Sequence, residues 1–474
     1  MRRIFKSVLC AIILFAILGF AFQMRATTFW LPHWQGDQSH YISLAMKLEK
    51  LGFSYFNLRG INVGKIMLGK DNEVKIVYPV LNKDITSTGE ILEGLHAVGI
   101  HYYDQPFFHK PPGFPYVLLF SHKLFAIDNL PYTVIASDIG RFLLRSRPVS
   151  LLKVQFWATL VPLAFGLGTI LCTFLLGKTL FSYRTGLYAS FMMAIHPVAI
   201  MTSQKIWADD MVAFFVILSV LTFILAIKRK SGWISLAAGI SCGVAVLAKQ
   251  TGGYLLIAVG IFSVLAYVSG ISDTKSLLVT IFNKYFIMFS IGVFLVSGFW
   301  FIKIYMIYGD PLWQPTATQS DLSSVDVTGW FKVLRSRPPG WILYPIGIFY
   351  LCPLFIPAYC SLRDFISETW KLVKKKSYDY RFILLWVVIL VFYFMLKGGH
   401  EHRRMLPVYP ALAVLSGFYL DKFRMYSGKF SRYTGNRFVR EFIILTLFTL
   451  CTLWSAPIGI TASLTNKLLI QIPF

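Results

Sequence analysis

The sequence predicts an all-α polytopic membrane protein of about eleven transmembrane helices, with interfacial helices in its first outer segment. Three observations lead there. Apolar stretches close to or above the roughly 20 residues a bilayer-crossing helix needs recur along all 474 residues. Hydrophobic residues make up 56% of the chain against 14% charged, with a mean hydropathy of +0.61, which no ordinary soluble domain approaches. Lys and Arg gather in the short loops between the stretches, as cytoplasmic loops of membrane proteins do. That dispersal also excludes nucleic acid as the reason for a net charge of +24, since clusters such as Lys228, Arg229 and Lys230 sit between spans rather than on one face.

The spans are predicted near residues 4–22, 155–177, 186–203, 210–227, 233–248, 252–270, 284–302, 341–360, 381–397, 405–421 and 441–459. The first follows Arg2, Arg3 and Lys6 and lacks a small-residue cleavage site, so it reads as a retained signal anchor. Residues 361–380 carry Arg363, Lys371, Lys374, Lys375 and Lys376, and residues 422–440 carry Lys422, Arg424, Lys429, Arg432, Arg437 and Arg440; both loops belong inside. Residues 113–127 are apolar but short and carry His122 and Lys123, which suits a re-entrant or interfacial helix covered by protein. This parity puts the N-terminus in the cytoplasm and residues 23–154, 204–209, 303–340 and 398–404 outside. The chain reads as one membrane-embedded unit, residues 1–474, with 23–154 a specialised first outer segment and 303–340 a second outer loop. Six cysteines lie in or beside apolar stretches without metal-ligand spacing and read as packing residues.

The unusual acids and bases sit in the outer segments. In WLPHWQGDQSHYISLAMKLEKLG, the residues Tyr41, Leu44, Ala45, Leu48 and Leu51 recur at helical spacing, giving an amphipathic helix suited to a membrane surface, with Asp37 at its N-cap. A lone acid there is ordinarily just a cap. The surrounding Trp30, Trp34 and Tyr41 place it at headgroup level, where it can meet a lipid substrate. Lys110 precedes two prolines that fix the backbone, so its cation points in a set direction; snorkelling to lipid phosphate explains it about as well. Asp209 and Asp210 open a span, and two acids exceed what one cap requires. In GGHEHRRMLPVYP, the knot of His400, Glu401, His402, Arg403 and Arg404 departs from the positive-inside trend, which points to an anionic ligand.

In this order, the early outer Asp before a Tyr-containing amphipathic helix, HKPPGFPYVLLFSHKLFA, the acidic pair opening a span, AAGISCGVAVLAKQTGG and HRRMLPVYPALAVLSG resemble the membrane-embedded C-type glycosyltransferases. The nearest branch is that of dolichyl-phosphate-mannose protein mannosyltransferases and bacterial lipid A aminoarabinose transferases. The resemblance covers most of residues 1–421, and its most specific parts are the Lys-Pro-Pro and Arg-before-Leu-Pro segments. It implies transfer of a sugar from a polyprenyl-phosphate donor to a glycan, lipid or protein acceptor on the outer face of the bacterial inner membrane or in the endoplasmic reticulum lumen; the expectation here is the bacterial cytoplasmic (inner) membrane with the site facing the periplasm or exterior. It implies Asp37 as base, a second acidic site at Asp209 or Asp210, and donor phosphate held by Lys110 with Arg403 or Arg404; Tyr41, His109 and His400 are further candidates for substrate contact. Where the family commonly has Asp-Glu, this chain has Asp37-Gln38, which weakens any role for a second carboxylate or metal ligand there. His33, His40, His109, His400 and His402 show no recognised metal spacing, so no metal site is assigned and the need for a divalent cofactor stays open.

The chemistry agrees with that reading. A polyprenyl tail contributes about 0.8 kcal/mol per buried CH₂ and keeps its donor in the bilayer, so the site belongs at the membrane surface. A phosphate leaving group needs charge stabilisation rather than protonation, and an acceptor hydroxyl needs one base. A transporter or flippase of a lipid-linked saccharide is the rival reading, but it should carry ionisable residues deep within spans or paired broken helices.

Overall fold

The computed structural model describes residues 2–26, 38, 41, 44, 45, 48, 49, 65–68, 74–77, 110–125, 156–268, 284–309, 347–358, 386–387, 402–426 and 437–465. Among these the elements run α1 (Arg2–Ala26), β1 (Lys65–Leu68), β2 (Val74–Val77), α2 (Gly113–Phe125), α3 (Phe156–Leu180), α4 (Tyr183–Ile195) and α5 (Pro197–Ser203). They continue as α6 (Asp209–Arg229), α7 (Gly232–Ala248), α8 (Tyr254–Val268), α9 (Lys284–Tyr308), α10 (Tyr409–Tyr426) and α11 (Arg437–Thr465). The protein is a polytopic helical bundle. A two-stranded antiparallel ribbon pairs Lys65 with Val77 and Leu68 with Val74, a small β addition inside the first outer segment that hydropathy did not foreshadow.

Among the described residues, five helices are long and apolar enough to cross a membrane by themselves, and α4 with α5, bent by 62° at the break, passes the same test as a pair. The predicted spans at residues 4–22, 155–177, 210–227, 284–302 and 441–459 each fall on one of the five. The predicted span at 381–397 lies almost wholly outside the described residues, as does the loop at 361–380. Helix α2 has 13 residues, a length of about 20 Å, which is too short for a hydrocarbon core of about 30 Å.

Local sequence explains the bend. His196 precedes a proline, and the proline ring pushes the residue before it out of the α region. His196 accordingly adopts φ −65°, ψ 122°, and Pro197 restarts the helix at its first position, where a missing N–H costs nothing. Gly459 of α11 lets that helix close on the break, since a Cβ there would stand 2.9 Å from Pro197 Cα.

Small residues set the tightest packing. Gly239 and Gly243 lie one turn apart on α7 and face α9, where a Cβ on Gly239 would run into the Phe289 carbonyl; Gly292 makes the reciprocal approach to the Leu236 carbonyl. At the opposite end of α4, Ser182 caps the helix by accepting from the Thr185 N–H at 3.1 Å and donates to Asp421 Oδ2 of α10 at 2.6 Å. The amphipathic stripe of the first outer segment is buried: Tyr41, Leu44, Ala45 and Leu48 belong to the core. Its apolar face is therefore covered by protein rather than by lipid. Tyr41 meets the Phe114 ring of α2 edge-on at 4.8 Å, and Glu49 pairs with His122 at 3.4 Å.

Candidate functional site

The segment between α5 and α6, residues 204–208, organises the site. Because α5 runs for only seven residues beyond the bend, the chain turns back inside the end of the bundle, and Gln204, Lys205 and Ile206 are all buried. Gln204 donates from Nε2 to the Met24 carbonyl at 2.9 Å, and the Ile206 N–H donates to Gln38 Oε1 at 3.2 Å. Gln38 thus ties the outer helix to this segment. A glutamine suits the task because its amide oxygen accepts from a buried N–H without bringing a charge.

Gln38 and Tyr41 lie three residues apart on one helix face. From Tyr41 the chain of contacts runs to Lys110, whose Nζ stands 5.3 Å from the Tyr41 ring centroid. From Ile206 it runs through Trp207 to the Arg403 guanidinium, stacked 4.3 Å from the indole centroid. The Lys-Pro-Pro turn, the 204–208 loop ahead of Asp209 and the basic turn are therefore joined at one end of the bundle. The Arg403 turn is a short 3₁₀ helix, His402–Met405, held by the Tyr409 hydroxyl donating to the His402 carbonyl at 3.3 Å. Arg404 is half-buried on the same turn.

The two acids of α6 have separate partners. Asp209 pairs with Lys249, at the end of α7, with 2.8 Å between Nζ and Oδ1. Asp210 accepts from Ser203 Oγ at 2.9 Å, and Ser203 also receives the Arg25 Nε–H at 3.3 Å. Arg25 is fully buried at the end of α1 and bridges to the carbonyls of Met193 and Ala194 at 3.1 and 2.9 Å, just before the bend. Gly166 of α3 makes room for this knot: a Cβ there would collide with Ser203 Oγ and lie 3.2 Å from Asp210 Oδ1. A cap role for the acids is not what is seen, since Ala208 is the N-cap and makes no side-chain cap bond.

Of the residues singled out by sequence, Tyr41, Lys110, Asp209, Asp210, Arg403 and Arg404 lie within the described residues, and Asp37, His109 and His400 lie outside them. Among the described residues no three His, Cys, Asp or Glu side chains gather as a cation site. Sequence reasoning passed over Arg25, Lys205, Trp207 and Lys249, and read Gln38 only as a departure from the family's Asp-Glu pair. Lys249 was legible: the parity that puts residues 204–209 outside also puts the short turn after residue 248 on that side. Burial and the approach of Arg403 push Lys205 down to about 8, within reach of ordinary pH.

Residues 149–309 match the family model of dolichyl-phosphate-mannose-protein mannosyltransferase. No curated protein matches the sequence. Among solved structures, the archaeal oligosaccharyltransferase AglB from Archaeoglobus fulgidus, in complex with an inhibitory peptide and a dolichol-phosphate, superposes with a TM-score of 0.56 at 16% identity, over 97% of this chain and 56% of that one. ArnT from Cupriavidus metallidurans superposes with a TM-score of 0.51 both in the apo state and bound to undecaprenyl phosphate, at 12% and 13% identity, over 98% and 97% of this chain and 77% and 76% of that one. The chain shares the fold of these two solved proteins. It spans little more than half the length of the archaeal oligosaccharyltransferase, and the matched family segment holds the bend, the buried loop and the Asp209–Lys249 pair.

Proposed function

We propose that the protein is a polyprenyl-phosphate-sugar-dependent glycosyltransferase, carrying a hexose or pentose to an acceptor hydroxyl or phosphate at the outer face of the bacterial cytoplasmic membrane. The observation that carries this reading is the joining of Lys110 and Arg403 to the 204–208 loop ahead of Asp209, through Tyr41, Gln38, Ile206 and Trp207, at one end of the bundle. The similar ArnT fold was solved with undecaprenyl phosphate, and the AglB fold with dolichol-phosphate. Cationic side chains at the end of the bundle suit that class of donor.

In the reaction the acceptor oxygen attacks the anomeric carbon, the bond from that carbon to the phosphate oxygen breaks, and its electron pair leaves with the lipid phosphate. Lys110 and Arg403 stabilise the charge gathering on that phosphate, with Arg404 beside them. The acceptor proton passes to a carboxylate. Asp209 is engaged by Lys249 and Asp210 by Ser203, so each has a partner of its own, and Asp37, next in chain to Gln38, is assigned as the base. Tyr41, His109 and His400 are assigned to substrate contact. A single displacement inverts the anomeric centre.

The test uses purified full-length protein in nanodiscs with a radiolabelled polyprenyl-phosphate sugar and membrane acceptor extract. Label should move from lipid to acceptor, and Asp37→Asn, which keeps helix-capping ability, should lower the rate by roughly 10² or more. Movement of the intact labelled lipid between leaflets without sugar transfer would replace the enzyme reading with a flippase.

A further inference from the structure

Lys205 is 1% exposed, and among the described residues its ammonium makes no hydrogen bond or ion pair; its near neighbour is the Trp207 ring, 5.3 Å away. Trp207 presents a second orphan, because its indole Nε1–H is buried and has no acceptor among the described residues. Arg403 stacks on the same indole. Among the described residues, the charged groups on the elements around the loop are Arg403 and Arg404 on the neighbouring turn, Asp209 and Asp210 at the start of α6, and Arg25 at the end of α1. Asp209 is held by Lys249 and Asp210 by Ser203, so neither supplies the missing counter-charge. A buried ammonium facing another cation is strongly unfavourable unless an anion joins them.

We propose that Lys205, the Trp207 indole N–H and Arg403 form an anion subsite for a phosphate-class group, with Arg403 common to it and to the donor-phosphate role proposed above. The donor set fits such a ligand. The ammonium and guanidinium provide charge-assisted bonds, and the indole provides one neutral donor of fixed direction, which together suit a tetrahedral oxyanion. The aromatic ring holds both cations at set distances, so little side-chain entropy is lost when the anion arrives. The subsite stands on this geometry whether or not the chain transfers sugar. Its anion has two sources: the phosphate of a lipid donor, or a free or acceptor-borne phosphate.

Binding to full-length protein in nanodiscs, read by tryptophan fluorescence with Trp207→Phe as the assignment control, tests it with two probes: undecaprenyl phosphate and inorganic phosphate. Lys205→Met fills a similar volume without charge and should weaken binding of at least one probe by tenfold or more, in line with loss of a charged hydrogen bond. Loss confined to the lipid probe assigns the subsite to the donor headgroup; loss for inorganic phosphate assigns it to a soluble or acceptor-borne anion. In the native protein the affinity should be present below about pH 8 and fall as pH rises through that value, because the ligand requires the protonated amine. Lys205→Arg should keep its affinity past pH 9. With no anion present, Lys205→Met should also unfold at a higher temperature than the native chain, having lost an uncompensated buried charge. Unchanged binding of both probes by a folded Lys205→Met protein would overturn the proposal, as would a Lys205→Met protein that unfolds earlier and binds normally.

Discussion

Replacing Lys249 by Met separates a structural role for Asp209 from a chemical one. The two charges lie 2.8 Å apart, with the Asp209 side chain 6% and the Lys249 side chain 27% exposed. At an effective dielectric constant of about 20 the attraction is roughly 6 kcal/mol, most of it offset by the cost of removing both groups from water. Breaking a buried pair typically costs about 3 to 5 kcal/mol because one charge is left uncompensated, and the partial exposure of Lys249 puts the expected value near 3 kcal/mol or below. Asp209→Asn alone should cost a similar amount, while the double variant should recover about 2 kcal/mol relative to the sum. Denaturant unfolding of the four proteins in mixed micelles measures this cycle. The same proteins are then assayed for sugar transfer. If Asp209 only braces α6 against α7, the double variant transfers at close to the native rate. Additive stability losses would refute the pairing argument, and a double variant that is stable but inactive would restore Asp209 as a candidate base.

Two further outcomes follow from the packing. Lys110→Ala should weaken donor use by about 1.5 to 3 kcal/mol, the value of a charged hydrogen bond, measured as the KM for the lipid-phosphate sugar, while Lys123→Ala at the far end of α2 has little effect; equal small effects would return Lys110 to the status of a snorkelling side chain. Gly166→Ala drives a methyl into Ser203 Oγ beside Asp210, so it should destabilise the protein by about 1 to 3 kcal/mol by overpacking and lower transfer together with stability. A Gly166→Ala protein with native unfolding and native rate would show that the Ser203–Asp210 contact can move aside.

The spans were legible because long apolar runs have one common outcome in a bilayer, and the break was legible in principle because His196–Pro197 disfavours continuous helix. Tyr41, Lys110 and Arg403 were legible as unusual types at the mouths of spans, and the structure joins them. The pairings of Asp209 and Asp210 were not, although the side on which Lys249 falls was. An acid at the head of a helix carries a strong local meaning, capping, and nothing in the local pattern says that Lys249, forty residues on, or Ser203, in the preceding turn, will claim it. Gln38 was read as the weak replacement for a family acid, whereas its carbonyl oxygen ties the outer helix to Ile206. The amphipathic stripe of Tyr41, Leu44, Ala45 and Leu48 was correct as periodicity, but periodicity does not distinguish lipid from protein as the apolar neighbour.

The burial of Gln204, Lys205 and Ile206 follows from the bend. A straight helix of the 13 residues of α4 and the seven of α5, with His196 between them, would run about 31 Å and carry residues 204–208 to the bundle surface. Turning α5 by 62° shortens its advance along the α4 axis from about 10 Å to about 5 Å, so the loop ends inside the bundle. That shift of about 5 Å, close to one helical turn, is why Gln204, Lys205 and Ile206 are buried in a loop that sequence alone would place in solvent. It also explains the fully buried Arg25, since the bend frees the carbonyls of Met193 and Ala194 from intrahelical bonds and the guanidinium satisfies them. The bend therefore does two things with one proline: it turns the 204–208 loop back into the end of the bundle, and it buries Lys205 there with no carboxylate bonded to it among the described residues. On the proposal above, an anion bound by the Lys205 ammonium makes occupancy of the subsite and protonation of Lys205 linked events.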